Sequence, residues 1–438
     1  MSTEFVMNEK GTEKFEVFEL AKLMNNKVKL IDGIFDKKFP LVCGAGLRIK
    51  GKINLEKLEK TINKAYASID TMRAVLNIED ENDLHFKIRE NYEYKLNVLI
   101  PEGNDAEEKY NNAKKEVQYK VFQRETYADC ACVFMMYNLG ENDNFFVVAT
   151  EHGIMDGQAM LLIIKKVLLD YIGLPGTGRI NKKSLVDFYN FYEDFKDNGV
   201  MEANTAYWNN IAVGLEDLFK YNEPLENNTI TEEEKLIKVS IQLLKQASKN
   251  YRTTIGNIVI AAYQMAIAKT YGTRESAISC ISANRTIPDF FDTVVLQLEP
   301  MLLRNEIPND NTEVKEVLKR IMFTTSEGMK HTPSFYSNIT YSRFLFSYAQ
   351  DIMKGMDLTK MQGVDITTWM PESIPEHVFD VNYIFLIGFE QKKELELHFA
   401  VCDKVFCKAD FLSITQGMVE IFNRMASEKD LTMEQLLK

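Results

Sequence analysis

The chain has 438 residues, 45% of them hydrophobic and 26% charged, with 21 Gly and 10 Pro, a composition that excludes disordered, collagenous and low-complexity classes. Fifty-two basic residues against 64 acidic ones give a net charge of −12, and no Lys/Arg run offsets it, which argues against nucleic acid as a partner because such affinity comes largely from neutralising phosphates. At roughly 150 residues per domain the length allows two or three cores, and two are expected.

The first fifteen residues carry Glu4, Glu9, Lys10, Glu13 and Lys14 and hold no apolar stretch of signal-peptide length. No uncharged 18-residue segment follows, so a soluble cytoplasmic protein with no membrane partner is the expectation. Six cysteines (Cys43, Cys130, Cys132, Cys280, Cys402, Cys407) are too sparse for a disulfide framework, and none forms a C-x-x-C pair. Five histidines (His85, His152, His331, His377, His398) are scattered, with no two at ligand spacing, so no metal is expected.

Helix and strand patterns alternate along the chain. A strand is predicted over 41–50, then Gly51 and a helix from Leu55, where Leu55, Leu58, Ile62 and Ala65 recur at helical spacing. Strands are predicted over 130–137 and 145–150, the second a continuous apolar run typical of burial on both faces. Met160, Ile164, Val167, Leu168 and Tyr171 then form a helix stripe that stops at Gly173. Residues 173–178 hold three glycines and a proline, the densest cluster of breakers, and place a lobe boundary there, dividing the chain into 1–175 and 176–438. Beyond it come an aromatic helix over 185–195, an acidic polar stretch over 222–235, a long helix over 255–271, and strands over 277–282, 294–304, 379–388 and 395–403. This is an α/β protein of two lobes.

The segment 145–160 runs from a buried strand through Glu151-His152-Gly153-Ile154-Met155-Asp156-Gly157 into a helix. A strand end that delivers His and Asp four residues apart on a tight turn holds both on a rigid support. His152 can act as a base near neutral pH, and Asp156 can orient a neighbour or neutralise a cation. Gly157 lets a backbone N–H approach a ligand at a helix start that favours developing negative charge. The same short string also fits a histidine held by hydrogen bonds at a strand end. A two-ligand metal reading is disfavoured because Gly153 and Gly157 oppose helix there and no third ligand is evident.

Glu151 to Gly157 resembles the HHxxxDG motif of nonribosomal peptide synthetase condensation domains and their relatives in the chloramphenicol acetyltransferase-like superfamily. The resemblance extends over nearly the whole chain. Leu47 to Leu58, continuing through Asp70-Thr-Met-Arg73 to Leu76, is similar to the family's first strand, helix and H-x-x-L-R segment, with Asp70 in the place of the His. Ala206-Tyr-Trp208 resembles the AYW helix, 254–262 the core helix of the second lobe, and Asn284-Arg285 with 294–304 the NR and NTLPLR region.

The resemblance implies two acetyltransferase-like lobes in a V-shaped pseudo-dimer, each a mixed sheet flanked by helices, with a tunnel between them. It implies no permanently bound cofactor. The substrate arm is a phosphopantetheine thioester on an acyl or peptidyl carrier protein acting in trans, or coenzyme A, and a small molecule is the acceptor. By the same match His152 deprotonates or positions the nucleophile, Asp156 pairs with Arg285 across the lobes, Gly157 supplies an N–H near the reacting carbonyl, and Arg73 belongs to the scaffold. His331, before Thr332 and Pro333, is read as structural. The departure is Glu151, which stands where the family has its first His and is expected to support the site.

Three functions are consistent with this pattern. The first is a condensation enzyme forming an amide between a carrier-bound acyl or aminoacyl thioester and an amine, in nonribosomal peptide, antibiotic or related biosynthesis. The second is a coenzyme A-dependent O- or N-acyltransferase, and the third a non-catalytic docking protein of the same fold.

Overall fold

A computed structural model describes residues 6–7, 13–16, 42–77, 85–121, 123–174, 180, 182–332, 342–349, 363–369 and 384–438. Two short strands, β1 (Val6–Met7) and β2 (Glu13–Glu16), precede β3 (Val42–Lys50), α1 (Leu55–Ser68), β4 (Ala74–Asn77), β5 (His85–Ile88), β6 (Val98–Leu99) and α2 (Ala106–Lys120). Then come β7 (Cys132–Gly140), β8 (Asp143–Glu151), α3 (Gly157–Ile172), α4 (Leu185–Asp197) and α5 (Val200–Ile211). The rest of the chain forms β9 (Leu236–Ser240), α6 (Ile241–Tyr251), α7 (Ile255–Tyr271), β10 (Glu275–Ser282), β11 (Glu299–Glu306), α8 (Val314–Lys330), β12 (Phe344–Ala349) and β13 (Asp365–Trp369). It closes with β14 (Ile384–Glu390), β15 (Glu394–Val401), α9 (Lys408–Ser427) and α10 (Met433–Leu437).

These elements make two mixed sheets flanked by helices. The first has the order β13-β3-β8-β7-β6, and the second β11-β10-β12-β14-β15-β9. A smaller sheet, β1-β2-β5-β4, completes the set. In the first sheet β8 pairs antiparallel with β3 on one side and β7 on the other. Phe145, Phe146, Val147, Val148 and Ala149 are all at most 1% exposed, because both faces of this strand are covered, as an apolar run without alternation requires. Gly46, opposite on β3, leaves room for the aromatic layer: a Cβ there would lie 2.4 Å from the Phe145 ring and 2.9 Å from Trp369.

Local chemistry sets the helix ends. Asp156 caps the first turn of α3 through Ala159 N–H, and Gly173 ends it at φ 70°, a left-handed conformation that costs glycine little. Thr254 caps α7 and Gly272 terminates it, so this helix has the bounds expected over 255–271.

The apolar side chains form two cores. The first joins the faces of β3, β7 and β8 to α1 and α3; the second joins β10, β11, β12, β14 and β15 to α7, α8 and α9. Several residues beyond 175 lie in the first core: Leu185 and Phe188 of α4, then Phe290, Val294, Val295 and Leu296, and finally Trp369. The strand expected over 294–304 begins only at Glu299. Residues 294–298 instead cross into the first core, and β13 adds an antiparallel edge strand to β3. Residues 175–178 of the expected boundary, 379–383 of the expected strand, and His377 lie outside the described residues.

Candidate active site

β8 delivers the site. Glu151 is its last residue, in register with Val42, and its N–H donates to the Ala131 carbonyl at 2.8 Å. The Glu151 carbonyl accepts from Ile154 N–H at 3.3 Å and Met155 N–H at 3.2 Å, which closes a tight turn over His152 and Gly153. Ile154 and Met155 are fully buried, so the turn is clamped from below by packing as well as by its own backbone.

His152 rides on this turn half-buried. Its Nδ1 lies 2.9 Å from the Met155 carbonyl. A carbonyl can only accept, so Nδ1 carries the proton and the lone pair of the neutral ring is on Nε2. The hydrogen bond thus selects the tautomer in which Nε2 is the basic atom.

Asp156 is 2% exposed, and both its oxygens are occupied. Oδ1 accepts from Ala159 N–H at 2.7 Å and from Arg285 Nη2 at 2.8 Å. Oδ2 accepts from Gln297 N–H at 2.8 Å and Leu298 N–H at 3.1 Å. Arg285 also donates to the carbonyls of Thr293 and Val295, and Leu296 N–H donates to the Ile154 carbonyl at 2.7 Å. The structure therefore brings Asp156 and Arg285 together and sutures the 293–298 segment to the His152 turn. With its oxygens engaged in this way, Asp156 is geometrically a clamp on the loop. Its acceptor set includes backbone groups of Gln297 and Leu298, which no side-chain motif could have disclosed.

Gly157 opens α3. Its φ is not in the left-handed region, and a Cβ built on it would meet nothing within 4 Å. The fold around it makes no demand for glycine, and the space beside its Cα is open to an approaching group.

Arg73 donates through Nε to the Arg89 carbonyl at 2.8 Å and through Nη1 to the Tyr66 and Ile69 carbonyls, bracing the end of α1. Asp70 accepts from Leu185 N–H at 2.9 Å, tying that region to α4. His331 stacks on Tyr207 with centroids 3.6 Å apart, while its carbonyl accepts from the Trp208 indole at 3.0 Å. Among the described residues no group of three or more His, Cys, Asp or Glu side chains is arranged to hold a metal ion. No described helix is long and apolar enough to cross a membrane.

A family model, the condensation domain, matches residues 42–437, and the chain belongs to that family. Malpibaldin synthetase of Mortierella alpina is 20% identical over 296 residues, covering 65% of this chain and 5% of that protein. The chain thus spans about a twentieth of the length of this curated relative. The first condensation domain of the CDA synthetase is similar with a TM-score of 0.69 at 12% identity, covering 99% of both chains. The condensation domain of the monacolin K polyketide synthase MokA gives 0.71 at 14% identity, covering 94% of this chain and 97% of that one. The two-lobed fold of chloramphenicol acetyltransferase type is therefore the fold of this chain, and its family associates it with transferases of the condensation kind.

Proposed function

We propose that the protein is a condensation-type acyltransferase that joins a carrier-bound acyl or aminoacyl thioester to an amine. The observation that carries this reading is the Nδ1–H donated by His152 to the Met155 carbonyl, which puts the basic lone pair on Nε2 of a ring mounted on a rigid turn. His152 Nε2 accepts a proton as the amine nitrogen attacks the thioester carbonyl carbon. The new C–N bond forms, the tetrahedral oxyanion collapses, and the C–S bond breaks. The departing pantetheine sulfur takes the proton back from His152, so the base is regenerated.

Gly157 gives the developing oxyanion an open approach to the start of α3, where the positive end of the helix favours negative charge. Asp156 and Arg285 keep the turn in place and exchange no proton. Glu151 supports the turn from the strand end. In this reading the phosphopantetheine arm and its carrier protein are substrates, no cofactor resides in the protein, and the product is an amide in nonribosomal peptide or related biosynthesis.

The test offers the purified protein acyl-loaded carrier proteins and acyl-coenzyme A in parallel, each with candidate amines, and follows intact mass. Transfer from the carrier, abolished in His152→Ala, supports the reading. Turnover with acyl-coenzyme A alone would reassign the protein to the coenzyme A-dependent acyltransferases. Carrier binding without transfer, gained only in Glu151→His, would make the loop a disabled one and the protein a docking module.

A further inference from the structure

Past the end of β10 the chain makes a tight turn before it reaches Arg285. Asn284 N–H donates to Ser282 Oγ at 3.1 Å, and the Asn284 carbonyl accepts from Thr286 N–H at 2.9 Å. The φ of Asn284 is 48°, in the left-handed region that asparagine tolerates better than most side chains. This turn determines where the Arg285 side chain sets out. The guanidinium is held at its far end, by Asp156 and by the carbonyls of Thr293 and Val295. Arg285 Nε, the nitrogen nearest the stem, is buried with no hydrogen bond among the described residues. The root of the clamp is therefore steered by the backbone at 284–285 rather than by bonds along the stem.

Asn284 is 5% exposed, and its side chain meets the end of α8. Thr332, two residues past that helix and 9% exposed, donates through its hydroxyl to Asn284 Oδ1 at 2.7 Å, with the Met329 carbonyl 2.9 Å away. This end of α8 is a firm anchor in its own right. The Trp208 indole donates to the His331 carbonyl and the His331 ring stacks on Tyr207. The helix also lies so close to α5 that a Cβ on Gly328 would come 3.0 Å from the Trp208 ring. A short, buried hydrogen bond to so fixed a support confines the turn it reaches, because breaking it strands polar groups away from water.

We propose that Thr332 is a positioning residue of the site: by holding Asn284 in its left-handed turn, it sets the Arg285 guanidinium on Asp156 and so fixes the His152 turn relative to the end of α8. The assignment rests on the reading of that turn as the reacting loop. It makes α8, a helix of the second core, part of the support of a loop built on the first.

The test needs no substrate, so its outcome is separate from that of the transfer assay. Hydrogen exchange is followed by mass spectrometry on peptides covering 150–157 and 293–299 in the wild type, Thr332→Val, Thr332→Ser, Arg285→Ala, and Thr332→Val combined with Arg285→Ala. Thr332→Val keeps the shape of the side chain and loses the hydroxyl. Exchange in both peptides should then be about fivefold faster, the equivalent of one neutral hydrogen bond, while peptides of α1 and α9 keep their rates. Thr332→Ser keeps the hydroxyl and should show wild-type rates. In the Arg285→Ala background Thr332→Val should add less than about twofold, because the link through which it acts is already gone. Unchanged rates in 150–157 and 293–299, a rise shared evenly with α1 and α9, equal effects of Thr332→Val and Thr332→Ser, or a full effect in the Arg285→Ala background would each overturn the proposal. If Thr332→Val does not fold, Asn284→Gly takes its place under the same criteria, since glycine keeps the left-handed backbone and removes the acceptor.

Discussion

Asp156→Ala removes the acceptor on which the two halves of the site converge. It leaves the N–H groups of Ala159, Gln297 and Leu298 and the guanidinium of Arg285 without the oxygens they now use. Loss of the helix cap alone costs about 1 kcal/mol, and removing one member of a buried ion pair about 3–5 kcal/mol. The two contributions share Oδ1, so a loss of about 4 kcal/mol is expected rather than their sum. Arg285→Ala should cost less, about 2 kcal/mol, because Asp156 keeps its three backbone donors. In the double variant neither charge is stranded, and the loss should stay near about 4 kcal/mol, a coupling of at least about 1.5 kcal/mol.

The chain is suited to this measurement. Its two tryptophans report on different cores, Trp369 beside Phe145 in the first and Trp208 in the second, so urea unfolding followed in single-Trp variants shows whether both cores lose stability together. A larger effect of Arg285→Ala than of Asp156→Ala would refute the clamp. So would effects that add within about 0.5 kcal/mol.

Three further predictions bear on the chemistry and the surface. His152→Ala should lower acyl transfer at least about 10²-fold while the protein stays folded; wild-type turnover by intact mass would remove His152 as the base. Gly157→Ala should leave the urea midpoint unchanged or raised, since the added methyl meets nothing and α3 gains helix propensity, yet transfer should fall at least about tenfold if the reacting group passes that open space. Glu396 is held down to about 2 from its ordinary 4.5, first by the hydrogen bond with His398 and then by Lys238, against partial burial. Because its folded-state value is depressed, the stability it confers is fully present above 4.5 and lost as pH falls toward 2; the stability gap between the wild type and Glu396→Gln should therefore narrow from about pH 6 to about pH 3, and a constant gap in urea titrations would contradict this.

Much of the local structure was legible because its causes are local. The long helix expected over 255–271 has those bounds, with Thr254 capping it and Gly272 ending it. Gly173 likewise marks the end of α3. The apolar run 145–150 reveals a strand covered on both faces, and the turn that follows groups Glu151, His152, Asp156 and Gly157 by adjacency alone. What such patterns do not carry is the identity of partners distant in the chain. Residues 294–298 read as part of a strand because a buried extended segment and a ladder strand share the same apolar composition; the difference is that Leu296, Gln297 and Leu298 give their N–H groups to Ile154 and Asp156.

Sequence by itself determined the two-lobed α/β class and the chemistry available at residues 151–157, through periodicity, glycine breakers and one short motif. Tertiary structure alone decided that β13 completes the first sheet, that Asp156 is satisfied by backbone groups 141 and 142 residues away, and that the Tyr127 hydroxyl is buried without a partner among the described residues. The physical reason is common to all three: a backbone N–H, a sheet edge or a buried hydroxyl has the same signature in every sequence, and only the packed chain determines which group satisfies it.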